Sequence, residues 1–575
     1  MTDEELREII DLLRRRGTDL EFVEAKSARI ALPKHLWQAL SAFANQRGGG
    51  VIILGLDESQ RFAAVGVDDP GKMQADLASL CDQMEPALRP LLRIHDFEGR
   101  QLVVAEVPEI PLEQKPCHYR GSGLYTGSFL RVGDGNRQLS QYEIHSFLEG
   151  RGQPSHDVEI VPEAGRNDLD PALLQEFLAR VRKRRTRIAG MSDEELLKSL
   201  KVFAEEDKVT LAGLLCFARF PQQWFPSLTI TFLHYPGTQA DQLGTRGERF
   251  LDDRRFDGPL PAALDDALNM MVGAMRKRSL IQGLLRQEIP EYPPEAVREA
   301  LVNAVAHRDY CSLARGSQIQ IQMFQNRLEI RNPGGLFGPV NEDNLGEPGI
   351  QATRNQHLIQ LLEDLGPAEN RGTGIITMVR AMRQAQMSPP KLEDHRTHFR
   401  VVFSNDTMLD DATIEWLNQF AGLDLHENQR LALAYTRHQG EISNSIYCRL
   451  TGVDSRQATL GLQELVARGL LQQTGTRRWT TYRLPTQFFG KGEEERSPAG
   501  VRNLPADERL EQIYQFIAAR GQVSARAIRE EFHLSKETLR SDLRRLAKAG
   551  RIERSTAHPR DKRAEYRIAG SESQN

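Results

Sequence analysis

Glu299-Ala300-Leu301-Val302-Asn303-Ala304-Val305-Ala306-His307-Arg308-Asp309-Tyr310 is the stretch on which the reading of this chain turns. Its apolar residues recur with a helical period, and Glu299 and Asn303, four apart, share one face. A carboxylate beside a carboxamide suits metal–nucleotide chemistry. The Asn oxygen can ligate a Mg2+ held by phosphates, and the Glu can polarise a water for attack on the γ-phosphate. The same spacing also fits an ordinary solvated face, so the weight falls on two blocks further along the chain. Asn332-Pro333-Gly334-Gly335-Leu336 comes after a strand-like segment, and Arg371-Gly372-Thr373-Gly374-Ile375 opens a helix-like run. Glycine backbone at a helix start lets phosphates approach closely. His307, Arg308 and Asp309 end the first helix, where they either reach phosphate or metal or simply complete its C-terminus.

These three blocks, in this order, resemble the GHKL ATPase superfamily, and within it a divergent prokaryotic branch. The resemblance implies ATP and Mg2+ as cofactors, with Glu299 as general base of an ATPase and Asn303 as the Mg2+ ligand. It puts Asn332 where the family usually has an adenine-reading Asp. Gly334, Gly335, Arg371, Gly372, Thr373 and Gly374 belong to the loops around base and phosphates. Asn in place of Asp keeps an acceptor for the adenine amino group and loses the charge. No G-x-x-x-x-G-K-[S/T] loop occurs, which excludes a helicase motor.

Toward the N-terminus, a helical pattern at 4–16, the run 21–25, a helix at 33–45, a Gly-Gly-Gly turn and a strand-like 51–56 predict an α+β unit. Further strands at 102–107 and 129–132 and a helix at 140–148 complete it. Asp19, Glu21, Glu24, Lys26 and Asp57 gather four carboxylates and a lysine near two of these strands. Such a set can hold Mg2+ or Mn2+ and activate water for phosphodiester cleavage, the lysine stabilising charge on phosphate. A plain strand-face ion pair between Glu24 and Lys26 is the other reading. Glu21-Phe22-Val23-Glu24-Ala25-Lys26-Ser27, Ala42-Phe43-Ala44-Asn45, the glycine-rich 48–57 and Phe129-Leu130-Arg131-Val132-Gly133 resemble the Schlafen-type, AlbA-related domain. In eukaryotic Schlafen proteins that fold can carry an RNA-cleaving three-carboxylate centre, whereas many prokaryotic relatives are described as DNA-binding. The resemblance implies Glu24 and Asp57 as members of the centre and as metal ligands, and leaves its first carboxylate open between Asp19 and Glu21.

Two repeated units end the chain, at 428–485 and 509–569, each reading helix, helix, turn, helix and a basic hairpin that finishes in Tyr-Arg. Both resemble winged helix-turn-helix domains, the second the DeoR type. Arg456 and Gln457 open one candidate recognition helix, with Arg477 and Arg478 on its wing. Lys536, Thr538, Arg540, Arg544 and Arg545 lie on the other. Glu537 and Asp542 dilute that second field.

The chain is 575 residues long, 39% hydrophobic and 27% charged, which requires several cores and excludes wholesale disorder. No apolar stretch approaches the ~20 residues of a membrane helix, and the acidic start predicts no secretory signal, hence a cytoplasmic protein. Five scattered cysteines predict reduced thiols. The net charge of −4 disfavours an overall basic coat, yet residues 501–575 hold 16 Lys and Arg against 11 Asp and Glu.

The expected fold is multidomain α+β. A Schlafen/AlbA-like domain (1–150) is followed by a connecting region (168–259), a GHKL two-layer α/β sandwich (260–410), a winged helix (428–485), a linker (486–508) and a second winged helix (509–569). The expected function is an ATP-switched nucleic-acid-binding protein, a DNA-binding regulator. The alternatives are a Schlafen-type metal-dependent nuclease effector in anti-phage defence, acting on DNA or RNA, and a scaffold with a degenerate ATP pocket. ATP, nucleic acid and a second copy of the chain are the expected partners, with no membrane.

Overall fold

The structure, a computed structural model, describes all residues except 206, 283–284, 343, 348–349, 351, 367–373, 386, 406–410, 424, 476–479, 486–487, 489–505, 533–535, 555–564 and 570–575. The chain forms two compact units, Met1–Arg151 with Gln473–Asn575, and Gly152–Gln472.

In the first unit, α1 (Asp3–Arg16) starts on a Thr2–Glu5 capping box and buries Leu6, Ile9, Ile10 and Leu13 along one stripe. The sheet consists of β1 (Val23–Lys26), β2 (Gly50–Leu54), β3 (Leu91–Phe97) and β4 (Arg100–Val107), in the order β1-β2-β4-β3. β1 runs parallel to β2, with Glu24 opposite Ile52; the other pairs are antiparallel. The expected strand 51–56 is broken at Gly55, and β3 has no counterpart among the expected strands. β3 is an edge strand with Leu91 and Ile94 exposed and His95 buried, so its pattern does not alternate.

Helix α2 (Leu36–Asn45) is followed later in the chain by β5 (Phe129–Val132) and α3 (Gln141–Glu149). Two buried polar side chains of α2 fix β5. Ser41 accepts from Phe129 N at 2.8 Å, and Asn45 donates to Phe129 O at 3.0 Å while also bracketing Cys117. A buried amide held by backbone groups of two segments, and by Ser41 Oγ at 3.4 Å, specifies one geometry. Here it sets the register that carries Arg131 inward.

In the second unit, six strands form one sheet: β6 (Ile230–His234), β7 (Asp252–Phe256), β8 (Ile319–Met323), β9 (Arg327–Pro333), β10 (Lys391–Asp394) and β11 (His398–Ser404). Their order is β7-β6-β8-β9-β11-β10, with β6 and β8 parallel. The first two lie within 168–259, the expected connecting region, of which 228–234 reads as strand-like and 252–256 does not. β8 alternates, burying Ile319, Ile321 and Met323 and leaving Gln320 and Gln322 half-buried, the pattern of a sheet covered mainly on one face.

The helices of this unit are α4 (Leu260–Ala274), α5 (Pro294–Ala306), α6 (Gln356–Leu365) and α7 (Gly374–Gln384). α4, α5, α6 and α7 share one core with the strands. Between α4 and α5, Lys277–Gln282 and Leu285–Pro290 pair as an antiparallel hairpin. The run Lys-Arg-Ser-Leu-Ile-Gln has no 3.6-residue period to sustain a helix.

Next come α8 (Glu427–Gln439), α9 (Asn444–Thr451) and α10 (Ser455–Ala467), followed by short strands at Gln472–Thr474 and Thr481–Arg483. In the first unit's C-terminal part, α11 (Ala506–Arg520), Ala525–Phe532 and α12 (Lys536–Lys548) precede strands Ile552–Arg554 and Glu565–Ile568, which pair with each other. Among the described residues no helix is long and apolar enough to cross a membrane.

Candidate functional site

Proline at the first position starts α5, and Ala296, Val297, Ala300, Leu301, Ala304 and Val305 bury one side of it. That leaves Glu299 and Asn303 half-buried on another side, facing each other across one turn. Asn303 Nδ2 donates to Glu299 Oε1 at 3.2 Å. The first residue of α7 meets this pair: a Cβ on Gly374 would lie 2.0 Å from Glu299 Oε1 and 3.0 Å from Asn303 Nδ2. A helix N-terminus, with its orphan N–H groups and positive pole, is thereby set against a carboxylate and a carboxamide.

Around them is a cavity of about 170 Å3, mostly apolar in lining, with Glu299 and Asn303 at one part and Asn332, Gly335 and Arg354 at another. The far end of α5 is held by Asn355, whose Nδ2 donates to Ala306 O at 3.0 Å and Arg308 O at 2.7 Å. His307 lines the cavity. Arg308 and Asp309 do not: the buried guanidinium donates to Ala314 O and Ser317 O, and Asp309 Oδ1 accepts from Cys311 N. They fold the 309–317 loop.

Asn332 sits near the end of β9, buried, with Nδ2 directed at Pro333 O at 3.4 Å. Gly334 follows at φ +95° and Gly335 donates to Arg396 O at 2.9 Å. A Cβ at Gly334 would come within 2.5 Å of Arg354 Nη1. Only a residue without one allows both that φ and that approach. Arg371, Gly372 and Thr373 lie outside the described residues.

In the N-terminal unit the structure brings together Asp19, Glu24 and Lys26, all expected, with Arg131, which was not. Lys26 Nζ is 2.9 Å from Glu24 Oε1 and 3.6 Å from Asp19 Oδ2. Arg131, fully buried at its side chain, pairs with Glu24 Oε2 and donates to Leu20 O at 3.0 Å and Val23 O at 2.9 Å. Burial pushes the Asp19 carboxyl up, against the pull of Lys26 and with the push of Glu24, to about 7. Burial acts upward on Glu24 too, but Arg131 and Lys26 outweigh it and hold its carboxyl below the usual range.

Asp57 does not join them. Its carboxylate caps a short turn, accepting from Ser59 N at 2.9 Å, Ser59 Oγ at 2.7 Å and Gln60 Nε2 at 2.7 Å. Those bonds, Ser59 first, hold it below the ordinary carboxylate range. Glu58 is the residue of this loop whose charge reaches Lys26, Glu24 and Arg131. Glu21 is exposed. The expected grouping of Glu24 and Asp57 with Asp19 or Glu21 is thus replaced by two acids engaged with two cations. Ser59 and Gln60 stand two and three residues after Asp57, and a capping Asx turn was the local signal for its diversion.

On the two helical C-terminal segments, Asp454 N-caps α10 through Gln457 N at 2.9 Å, which leaves Arg456 and Gln457 exposed on its first turn. Arg540, Arg544 and Arg545 are exposed on α12, whose first turn begins at Lys536 and includes Thr538. Asp542, expected to weaken that basic face, points inward, where Arg509 Nε holds it at 2.7 Å. The wing residues Arg477 and Arg478 lie outside the described residues.

α7, which begins at the Glu299–Asn303 pair, ends beside α9. Arg383 Nη1 donates to Thr451 O at 3.1 Å, and Arg449 of α9 donates to Glu342 O at 2.6 Å in the segment bordering the cavity.

The chain matches the families described as "Schlafen, AlbA_2" over residues 19–140, "Domain of unknown function (DUF8451)" over 145–228, "Putative ATP-dependent DNA helicase recG C-terminal" over 316–403 and "DeoR-like helix-turn-helix domain" over 509–556. Among solved structures it is similar to the DIP2311 protein from Corynebacterium diphtheriae, 18% identical, with 99% of each chain covered and a TM-score of 0.36. It is also similar to the N-terminal domain of a RecG-related protein from Nitrosomonas europaea, 30% identical, over 24% of this chain and 95% of that one, with a TM-score of 0.20. No curated protein matches it.

Proposed function

The chain is a Schlafen/AlbA_2-domain protein that also carries a RecG C-terminal-type ATPase domain and a DeoR-like helix-turn-helix, the equipment of a nucleic-acid-binding protein; from this premise we propose that ATP switches its hold on DNA and that it acts as a DNA-binding regulator. The observation that carries this reading is the run of α7 from the Glu299–Asn303 pair to Arg383, which grips the α9 C-terminus. A helix whose start meets phosphates and whose end holds a neighbouring helix converts ligand entry into displacement.

The residues present fit the nucleotide. Gly374, having no Cβ, lets the start of α7 close on the Glu299 carboxylate beside the cavity, and Asn303 offers a hard oxygen ligand for Mg2+. When bound with the triphosphate, the metal supplies charge neutralisation at the γ-phosphate. Glu299 orients the attacking water and takes its proton. Asn332 directs Nδ2 at Pro333 O, which leaves the carboxamide oxygen as acceptor for the adenine amino group.

Glu299→Ala should bind ATP within about threefold of the parent and hydrolyse it at least ~100-fold more slowly, the scale of a lost general base. Fluorescence anisotropy on double-stranded DNA, with and without ATP, reads the switch. DNA affinity indifferent to ATP in the parent protein would sink it.

A further inference from the structure

We propose that Arg354 reads the purine base, donating from its guanidinium to the ring nitrogen beside the exocyclic amino group that Asn332 accepts. This rests on the nucleotide-site reading and deepens it. Arg354 is 3% exposed, lines the cavity, and among the described residues its Nε–H has no acceptor. A guanidinium buried in the wall of a cavity brings charge and donor groups that a ligand entering that cavity can use. The rest of the side chain is seated: Nη1 donates to Gly335 O at 3.3 Å, and the guanidinium lies 5.1 Å from the Phe337 ring centre. Its backbone is also held, with Gln153 Nε2 donating to Thr353 O at 2.9 Å and Arg354 O at 3.1 Å.

The place of Arg354 along α5 decides which part of a nucleotide it meets. Glu299, Asn303 and the start of α7 form the phosphate end. Arg354 lies at the other end, against Gly334 and Gly335 and near enough to His307 for their charges to interact. Glu299 and His307 are two turns apart, about 12 Å along a helix. Asn332, two residues before Gly334, shares the Arg354 end. A carboxamide oxygen and a guanidinium N–H side by side present acceptor and donor. Adenine offers the complement, an amino donor adjacent to a ring-nitrogen acceptor, whereas the guanine edge carrying O6 and N7 offers two acceptors.

Calorimetric titration of the full-length protein with ATP, adenosine, 7-deaza-ATP and 1-deaza-ATP tests the assignment, repeated on Arg354→Met, which keeps an unbranched apolar stem and removes every donor. One deaza analogue should bind the parent protein at least ~10-fold more weakly than ATP, the loss expected for a charged donor deprived of its acceptor. Arg354→Met should weaken ATP and adenosine by the same factor and no longer distinguish that analogue. Weakening of ATP without weakening of adenosine would move Arg354 to the phosphates and overturn the proposal. So would a parent protein that binds both deaza analogues as tightly as ATP, a comparison that needs no variant to fold. If the parent binds no nucleotide at all, the nucleotide-site reading fails first and Arg354 with it.

Discussion

Arg131 decides the character of the acid cluster beside β1. Its guanidinium reaches Glu24 across 107 residues of sequence and commits its second nitrogen to two backbone carbonyls, so it is a structural cation as much as a counter-ion. With Glu24 held by Arg131 and Lys26, Asp19 is left to bear the cost of burial. A carboxyl whose folded pKa stands near 7, above its value in the unfolded chain, binds more protons in the native state across the interval between. Stability then falls as pH rises from about 4 to 7. Asp19→Asn keeps an oxygen for the Ala25 N–H, now 3.0 Å from Oδ1, and removes the titration. Thermal melts from pH 4 to 7 should therefore show a smaller decline for Asp19→Asn than for the parent. Equal slopes would mean that Asp19 is ionised throughout. Glu24 and Lys26 were legible in the sequence as chemistry-bearing residues. Arg131 stood within a quoted motif yet carried no local sign of its role, because the clamp that turns it inward, Ser41 and Asn45, is set by tertiary contact.

At the scale of elements, the proposed nucleotide site is two helices and a strand end brought to one cavity. Glycine at the first position of α7 is what lets that helix touch the Glu299–Asn303 pair. In Gly374→Ala the new methyl would occupy the position 2.0 Å from Glu299 Oε1, so the carboxylate or the helix must move. One methyl at the first position of an otherwise unchanged helix should leave the fold in place while ATP affinity drops by about tenfold or more. Near-parental affinity would show that the α7 start is free to retreat. The strands at 319–323 and 327–333 and the helix at 356–365 were readable from alternation and period. The 277–290 hairpin was not, since a short two-stranded ribbon with charged residues has neither signature. Strand 230–234 is legible as extended and 252–256 is not; the first joins this sheet by pairing with 319–323 and the second by pairing with the first, which no local pattern encodes.

For the whole molecule, an ATP-governed change in DNA binding needs the site and the α8–α10 segment to move together, and Arg383 and Arg449 are the contacts through which they can. Arg383→Ala should leave ATP affinity within about threefold of the parent and reduce the ATP-dependent change in DNA affinity by at least half of its free energy. An unaltered ATP effect would route the coupling elsewhere. The exposed arginines of α12, with Asp542 withdrawn to Arg509, present a basic face in a chain that is acidic overall. Phe399 and Val401 of β11 line the same cavity as Glu299, so during synthesis the site is complete only after about a hundred further residues have followed that glutamate off the ribosome. At ~5–20 residues per second the gap is roughly 5–20 s. Throughout it the pocket lacks its far wall, so the nucleotide proposed for it, which would stabilise only the form that binds it, could assist maturation as a late ligand and never as an early one.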